Sequence, residues 1–194
     1  MTPRLASQRD DGPLARAVGH VAPRRLPPLP TALAGVVALT AGILVDGGAT
    51  TAASVLGAGV FVVLGALSAR GHGGGRLHWL VPPLLHTGEY ATIVVLAWRA
   101  GMPPAAFALL AVVASHHYDL LYLQDTERSP RPVDLLAGGW EGRTLVLTVA
   151  SAAGVLPGAS VLLAVWLAVL LTVSAARRVR TLVRDGSTAD GQAP

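Results

Sequence analysis

The stretch "VVASHHYDLLY", Val112–Tyr122, sets two histidines and an aspartate inside a long apolar run. Ionisable groups are costly in hydrocarbon, and where they occur there they are functional by default. A second set stands upstream in "LVPPLLHTGEY". His86, Glu89 and Tyr90 fall at i, i+3 and i+4, so they line one helical face. His116 and Asp119 share a face in the same way, and Tyr118 and Tyr122 share another. Carboxylate oxygens suit hard cations, and imidazole is accepted by Mn²⁺. Glu89, His116 and Asp119 are therefore the expected ligands of a Mg²⁺ or Mn²⁺ ion. His86 is the candidate general base, and the expected catalytic set is His86, Glu89, His116 and Asp119. Arg76 and Arg143 are expected to hold phosphate oxygens in bidentate fashion. His78, His117, Tyr118, Trp140 and Glu141 complete the expected substrate-binding set.

Each residue also has a plainer reading. Glu89 with a histidine partner would fasten two helices by a hydrogen bond. His117 alone reads as a packing histidine, Tyr118 and Tyr122 as interfacial anchors, and Trp140 as a headgroup anchor. Glu141 with Arg143 reads as a surface pair. Asp10 and Asp11 read as helix caps rather than ligands.

The elements that must position these groups follow from composition. The chain has 194 residues, 52% of them hydrophobic and 13% charged, with mean hydropathy +0.54. A soluble domain carries about 25% charged residues, so this chain has too few for a solvated surface. It has no cysteine, which excludes disulfides and thiolate metal sites. Its net charge of +4 comes with basic residues that lie between apolar runs, so nucleic acid is not the expected partner. The first thirty residues lack the apolar core of a signal peptide.

A span needs about 20 apolar residues. The runs Leu29–Val45, Ala49–Ser68, His78–Trp98, Pro103–Tyr122, Thr144–Leu156 and Gly158–Ala176 predict an all-α polytopic protein with six transmembrane helices. The last two form a hairpin broken at Pro157-Gly158. Thr144–Leu156 is short, and an earlier start near Leu135 would leave Arg143 snorkelling. With six spans both termini share a side. That side would hold Arg4, Arg9, Arg16, Arg24, Arg25, Arg70, Arg76, Arg128, Arg131, Arg143, Arg177, Arg178, Arg180 and Arg184, with only Arg99 opposite. The positive-inside rule then makes the N- and C-termini of this multi-pass protein cytoplasmic. In this topology His86 lies about 12 Å and Glu89 about 16 Å in from the cytoplasmic entry at His78. The polar groups of the third and fourth spans meet at overlapping depth in a polar pocket open to the cytoplasm.

The expected organisation is a juxtamembrane segment (1–28), a transmembrane domain (29–176) and a basic amphipathic segment with a disordered tail (177–194). In the first, Asp11 caps a short amphipathic helix with Pro13 near its start and Leu14, Val18 and Val21 on one face against the inner leaflet. In the third, Arg177, Arg180 and Arg184 share a face suited to anionic lipid. "DDGPLAR" contains a fragment of the CDP-alcohol phosphotransferase signature, Asp-Gly-x-x-Ala-Arg. The signature's following glycine position is Arg25 and its further aspartates are missing, so its active site is not carried over. "GHGGGR" follows no strand and is not a nucleotide loop.

At "RLHWLVPPLLHTGEY", "SHHYDLLY" and "GGWEGR" the chain resembles an uncharacterised membrane domain of actinobacterial-type proteins, from "DDGPLARAVG" to the last span. That domain often follows a nucleotidyltransferase and a CDP-alcohol phosphatidyltransferase domain in one polypeptide. The resemblance implies a place in phospholipid or glycolipid headgroup assembly, with membrane lipids and a CDP-alcohol phosphatidyltransferase in trans as partners. Three functions are expected from residues and resemblance together. The first is metal-assisted transfer of a phosphate-linked headgroup. The second is a non-catalytic scaffold for the phosphatidyltransferase. The third is a small transporter with an intramembrane Glu/His relay, which needs access from both sides.

Overall fold

The computed structural model describes residues 9–21, 26–45, 52–70, 77–123 and 136–190. Among these the chain is all-α, with seven α-helices: α1 (Pro13–Val21), α2 (Pro28–Val45), α3 (Ala52–Leu67), α4 (Val81–Arg99), α5 (Pro103–Leu123), α6 (Gly139–Ala152) and α7 (Leu156–Asp190). Short 3₁₀ turns at Ser68–Arg70 and His78–Leu80 follow α3 and precede α4.

Three helices are long and apolar enough to cross a membrane: Pro28–Val45, His78–Arg99 and Leu156–Arg180. They indicate a membrane protein. Six full spans, expected from the apolar runs, are not what the helices provide. α3 has 16 residues and α6 has 14, which is about 24 and 21 Å of helix against ~30 Å of hydrocarbon. α5 has 21 residues, but His116, His117 and Asp119 interrupt its apolar character near the C-terminal end.

Two of the joints are set by glycine and proline. After α4, Gly101 takes φ +69°. Its N–H reaches the Trp98 carbonyl at 3.0 Å, and the Met102 N–H reaches that of Ala97 at 2.8 Å. After α6, Gly154 takes φ +73°, with Gly154 N–H to Ser151 at 3.1 Å and Val155 N–H to Ala150 at 2.9 Å. Both are Schellman endings, where a left-handed residue lets two late carbonyls be satisfied. Each is followed by a proline in the next helix's first turn, Pro103 and Pro157, where the missing N–H costs nothing. The break of the last hairpin is therefore at Gly154 and not at Pro157-Gly158. α6 begins at Gly139, ahead of the expected Thr144. α7 runs on as one helix to Asp190, through the boundary expected at 176–177 and into the expected disordered tail.

Small residues set how closely the helices approach. α2 and α3 are antiparallel, with Gly35 against Phe61 and Gly42 against Ala53 and Gly57. The Phe61 and Trp140 rings meet edge to face at 5.1 Å. Trp140 fills the space over Gly65, and Phe61 that over Gly88. Both rings are fully buried in a core with Val62, Ala66, Val81 and Leu85. Trp140 is thus a core residue and not a headgroup anchor. A second core, with Ile93, Leu96, Leu109, Val113, Leu147 and Leu167, joins α4 and α5 to α6 and α7.

A Cβ on Gly88 would lie 2.6 Å from Phe61 Cζ, while one on Gly59 would meet nothing within 4 Å. Gly88→Ala should therefore lower stability by about 1–3 kcal/mol through overpacking. Gly59→Ala should be neutral or stabilising, since alanine is the better helix former by about 1 kcal/mol. Melting of the two variants in detergent checks this; equal effects would show that Gly88 does not seat Phe61.

Candidate functional site

The N-terminal segment, expected to carry a short amphipathic helix against the inner leaflet, makes its polar contacts inside the bundle. Residues Arg9–Gly12 enter it, and each side chain takes a different direction. Arg9 turns to the end of α3, where it donates to the Gly65 carbonyl at 2.8 Å and to Ser68 Oγ at 3.0 Å. A cation there complements the helix C-terminus. Asp11 accepts from Trp140 Nε1 at 3.0 Å and from Arg9 Nε at 2.9 Å. Asp10 points inward, with φ +51°, a left-handed conformation that aspartate tolerates better than most residues.

The start of α1 is capped from outside its own segment. The Glu141 carboxylate accepts the Gly12 N–H at 3.2 Å and the Ala15 N–H at 3.1 Å, so an acid from α6 serves the orphan donors of α1. Asp11 is not that cap. The crossing depends on glycine: a Cβ on Gly12 would lie 2.5 Å from both Glu141 Oε1 and the Gly138 carbonyl oxygen. Opposite it, Gly138 and Gly139 take φ +77° and +64°. Ala15 and Gly19 form the buried face of α1; Leu14 and Val21 face outward, while Val18, expected on the same face as they are, packs against the core.

Arg143 is the centre of the polar cluster. Its Nε donates to Glu89 Oε1. Its Nη2 donates to Asp10 Oδ2 at 2.6 Å and lies 3.3 Å from both Glu89 Oε2 and His117 Nε2. Nη1 reaches the Ala137 carbonyl at 3.3 Å. Around this centre His116 Nε2 is 3.2 Å from Asp10 Oδ1. His117 Nε2 is 3.4 Å from Asp10 Oδ2 and 3.7 Å from Glu89 Oε2. The Tyr90 hydroxyl meets His117 Nδ1 at 2.6 Å, and the His86 and His117 rings pack at 3.9 Å between centroids. Burial alone raises the Asp10 carboxyl; the Arg143 guanidinium, with the His116 and His117 contacts, outweighs it and holds the group well below the usual carboxylate range.

The expected site residues divide accordingly. His86, Glu89, His116, His117 and Arg143 converge, joined by Asp10 and Tyr90. Glu141 and Arg143 are both buried and serve different partners, so they are no surface pair, and Arg143 does not snorkel. Asp119 does not join Glu89 and His116 as a ligand; it accepts from Arg178 of α7 at 2.9 Å. Tyr118 is 57% exposed. His78 is buried beside the entry to α4. Arg76 lies outside the described residues. Among the described residues, the group of three or more potential ligands with donor atoms within 4.8 Å of one another is His86, Glu89 and His117. Glu89 and His117 are buried, and His86, at 16% exposed, is the open edge of the trio.

Sequence reasoning missed Arg9 and Asp10. Their signal was present: "RDDG" puts three charges beside a glycine directly before an apolar protein, and nothing local neutralises Arg143 in α6.

Breaking a buried pair by removing one partner costs about 3–5 kcal/mol, because the other charge is left uncompensated. Arg143→Met should cost about that much in detergent melts, and Arg143→Met with Glu89→Gln less than the sum of the two. Additive effects would show the pair is not coupled. Asp10, with a folded value below its unfolded ~3.9, contributes stability that is full above about pH 4 and lost as pH falls through the folded value. Asp10→Asn should flatten the acid limb of the stability curve below about pH 4. An unchanged limb would place the linkage on other carboxylates.

Neither a search of curated proteins nor one of solved structures returns a match. A family model does match, over residues 2–192. With nearly the whole chain covered, this protein belongs to that family of unknown function, DUF5941.

Proposed function

We propose that the chain is a membrane-embedded protein of lipid headgroup assembly, acting on a phosphate-linked headgroup at the cytoplasmic face of a bacterial plasma membrane, alongside a CDP-alcohol phosphatidyltransferase. The observation that carries this is the convergence at one end of an apolar bundle. Three histidines, two carboxylates, a tyrosine and an arginine meet there from the N-terminal segment, α4, α5 and α6. A charged group at mid-bilayer costs about 2.5–3.5 kcal/mol, so such a gathering is favoured only where it does something. Arg9, Arg16 and Arg178 stand at the same end, while Arg99 is at the other, donating to the Ile43 carbonyl at 2.6 Å. Cations on one side suit an anionic lipid substrate. The resemblance of "GGWEGR" and "SHHYDLLY" to a domain fused to phosphatidyltransferases supports the same pathway.

In this reading His86, the most exposed imidazole of the cluster, accepts the proton of a hydroxyl that attacks phosphorus of a diphosphate-linked donor; the new P–O bond forms as the diphosphate P–O bond breaks, and the nucleoside monophosphate leaves with the bridging oxygen. Arg143 and Glu89 fix the geometry around it. Asp10 and the residues beside it cover the cluster, so substrate entry involves movement of residues 9–12.

One observation favours the scaffold reading instead. Arg143 is bonded through all three of its nitrogens to protein groups, which is what a clasp between helices requires. The transporter reading is the least supported, because the half of the bundle beyond Tyr90 is filled by Ile93, Leu96, Leu109, Leu147, Leu156 and Leu167.

The two leading readings separate by experiment. Membranes containing the chain and its phosphatidyltransferase are assayed for lipid products by mass spectrometry. His86→Ala should lower product by about 10²–10⁴-fold, the range for a general base, with the melting temperature nearly unchanged. Undiminished product in both His86→Ala and Glu89→Gln would overturn the catalytic reading and leave the scaffold.

A further inference from the structure

We infer that His86, Glu89 and His117 form a binding site for one first-row divalent cation, Zn²⁺ or Mn²⁺, at the edge of the buried cluster. This does not depend on the lipid reading, and it gives His86 a different role from the one assigned there: an imidazole that holds the ion through a ring nitrogen is a ligand and not the general base.

The donor set comes first. Two imidazoles and one carboxylate, with donor atoms all within 4.8 Å of one another, form a set that suits these ions better than Mg²⁺, which prefers an all-oxygen shell. Glu89 Oε2 is the common point: it lies 3.9 Å from His86 Nδ1 and 3.7 Å from His117 Nε2. Metal–nitrogen bonds of about 2.1 Å put tetrahedral ligand atoms about 3.4 Å apart. The three donors therefore need to close by only a few tenths of an ångström to little more than one.

The surroundings come second. A metal-ligating histidine has its other ring nitrogen held by a hydrogen bond, and His117 Nδ1 has the Tyr90 hydroxyl at 2.6 Å. Glu89 is likewise oriented from behind, because Arg143 Nε holds Oε1; Arg143 Nη2 lies 3.3 Å from both Oε2 and His117 Nε2, so an ion taking those two atoms displaces Nη2 toward Asp10, its nearer partner at 2.6 Å. Arg143 does not turn the site against a cation. Its single charge faces two carboxylates, Glu89 and Asp10, so with neutral histidines the cluster carries a net negative charge. The His86 side chain is 16% exposed, against 0% for Glu89, so it is the ligand at the surface of the set. The ion first expected at Glu89, His116 and Asp119 is thereby moved one residue along α5 and one turn back along α4.

The test uses the full chain in detergent, stripped with chelator, and titrated calorimetrically with ZnCl₂ or MnCl₂ alone. The expected result is one ion per chain and a raised melting temperature. His86→Ala should weaken binding at least tenfold while the protein still folds, because His86 stands at the edge of the cluster. Tyr90→Phe, which keeps the ring and removes only the hydroxyl, should weaken it about 10–100-fold. His20→Ala, on the exposed face of α1, should bind as the unmodified chain does. Bound Co²⁺ should show a visible absorption band that His86→Ala changes. No saturable binding, or equal affinity in His86→Ala and the unmodified chain, would overturn the site, whatever the lipid assay shows.

Discussion

Arg143 places one positive charge between two negative ones that come from Asp10 and from Glu89, 133 and 54 residues away in sequence. Within an apolar bundle none of the three is tolerable alone. A buried ion costs several kcal/mol to desolvate, and only close partners and further hydrogen bonds offset it. The rest of the arrangement follows from meeting that requirement. The Ala137 carbonyl takes the remaining face of the guanidinium, His116 takes the remaining oxygen of Asp10, His117 shares the other with Arg143, and the Tyr90 hydroxyl takes the far side of His117. The network is continuous from α4 and α5 through α6 to the N-terminal segment, so its members are fixed together or not at all.

The same network explains why the N-terminal segment is inside. Arg9 and Asp11 pair with each other at 2.9 Å, but residues 9–11 cannot satisfy all their polar groups among themselves. They find their other partners on α3, α5 and α6, while Glu141 returns the relation by holding the first N–H groups of α1. Backbone contact at this crossing is possible because Gly12 and Gly139 carry no Cβ, and Gly138 supplies the left-handed turn before Gly139.

The existence and type of the helices were legible in the sequence. The runs at 29–45, 78–98 and 103–122 became helices within a few residues of those limits, because unbroken apolar stretches leave no other way to satisfy the backbone. The pairing of His86 with Glu89 was legible too, since i, i+3 spacing carries it. What was not legible is which charges meet at long range. Glu141 and Arg143, two apart, were taken for a pair, but residues two apart on a helix face nearly opposite ways. One reaches α1 and the other α4. Asp119 shares a face with His116, yet it lies one turn nearer the helix end, where Arg178 of α7 is the nearer cation. Crossing a membrane was overcounted for a related reason: hydropathy marks apolar stretches without fixing where a glycine or a polar turn cuts the helix short.

The contacts that hold residues 9–15 are made to residues 138–143. A ribosome delivers the first group long before the second. Arg9 can meet Gly65 and Ser68 early, but Asp10 and Asp11 lack Arg143 and Trp140 through most of synthesis, and closure falls to a late event spanning well over a hundred residues. Formation of the final structure should accordingly be governed by when α6 arrives rather than by how fast any single helix winds.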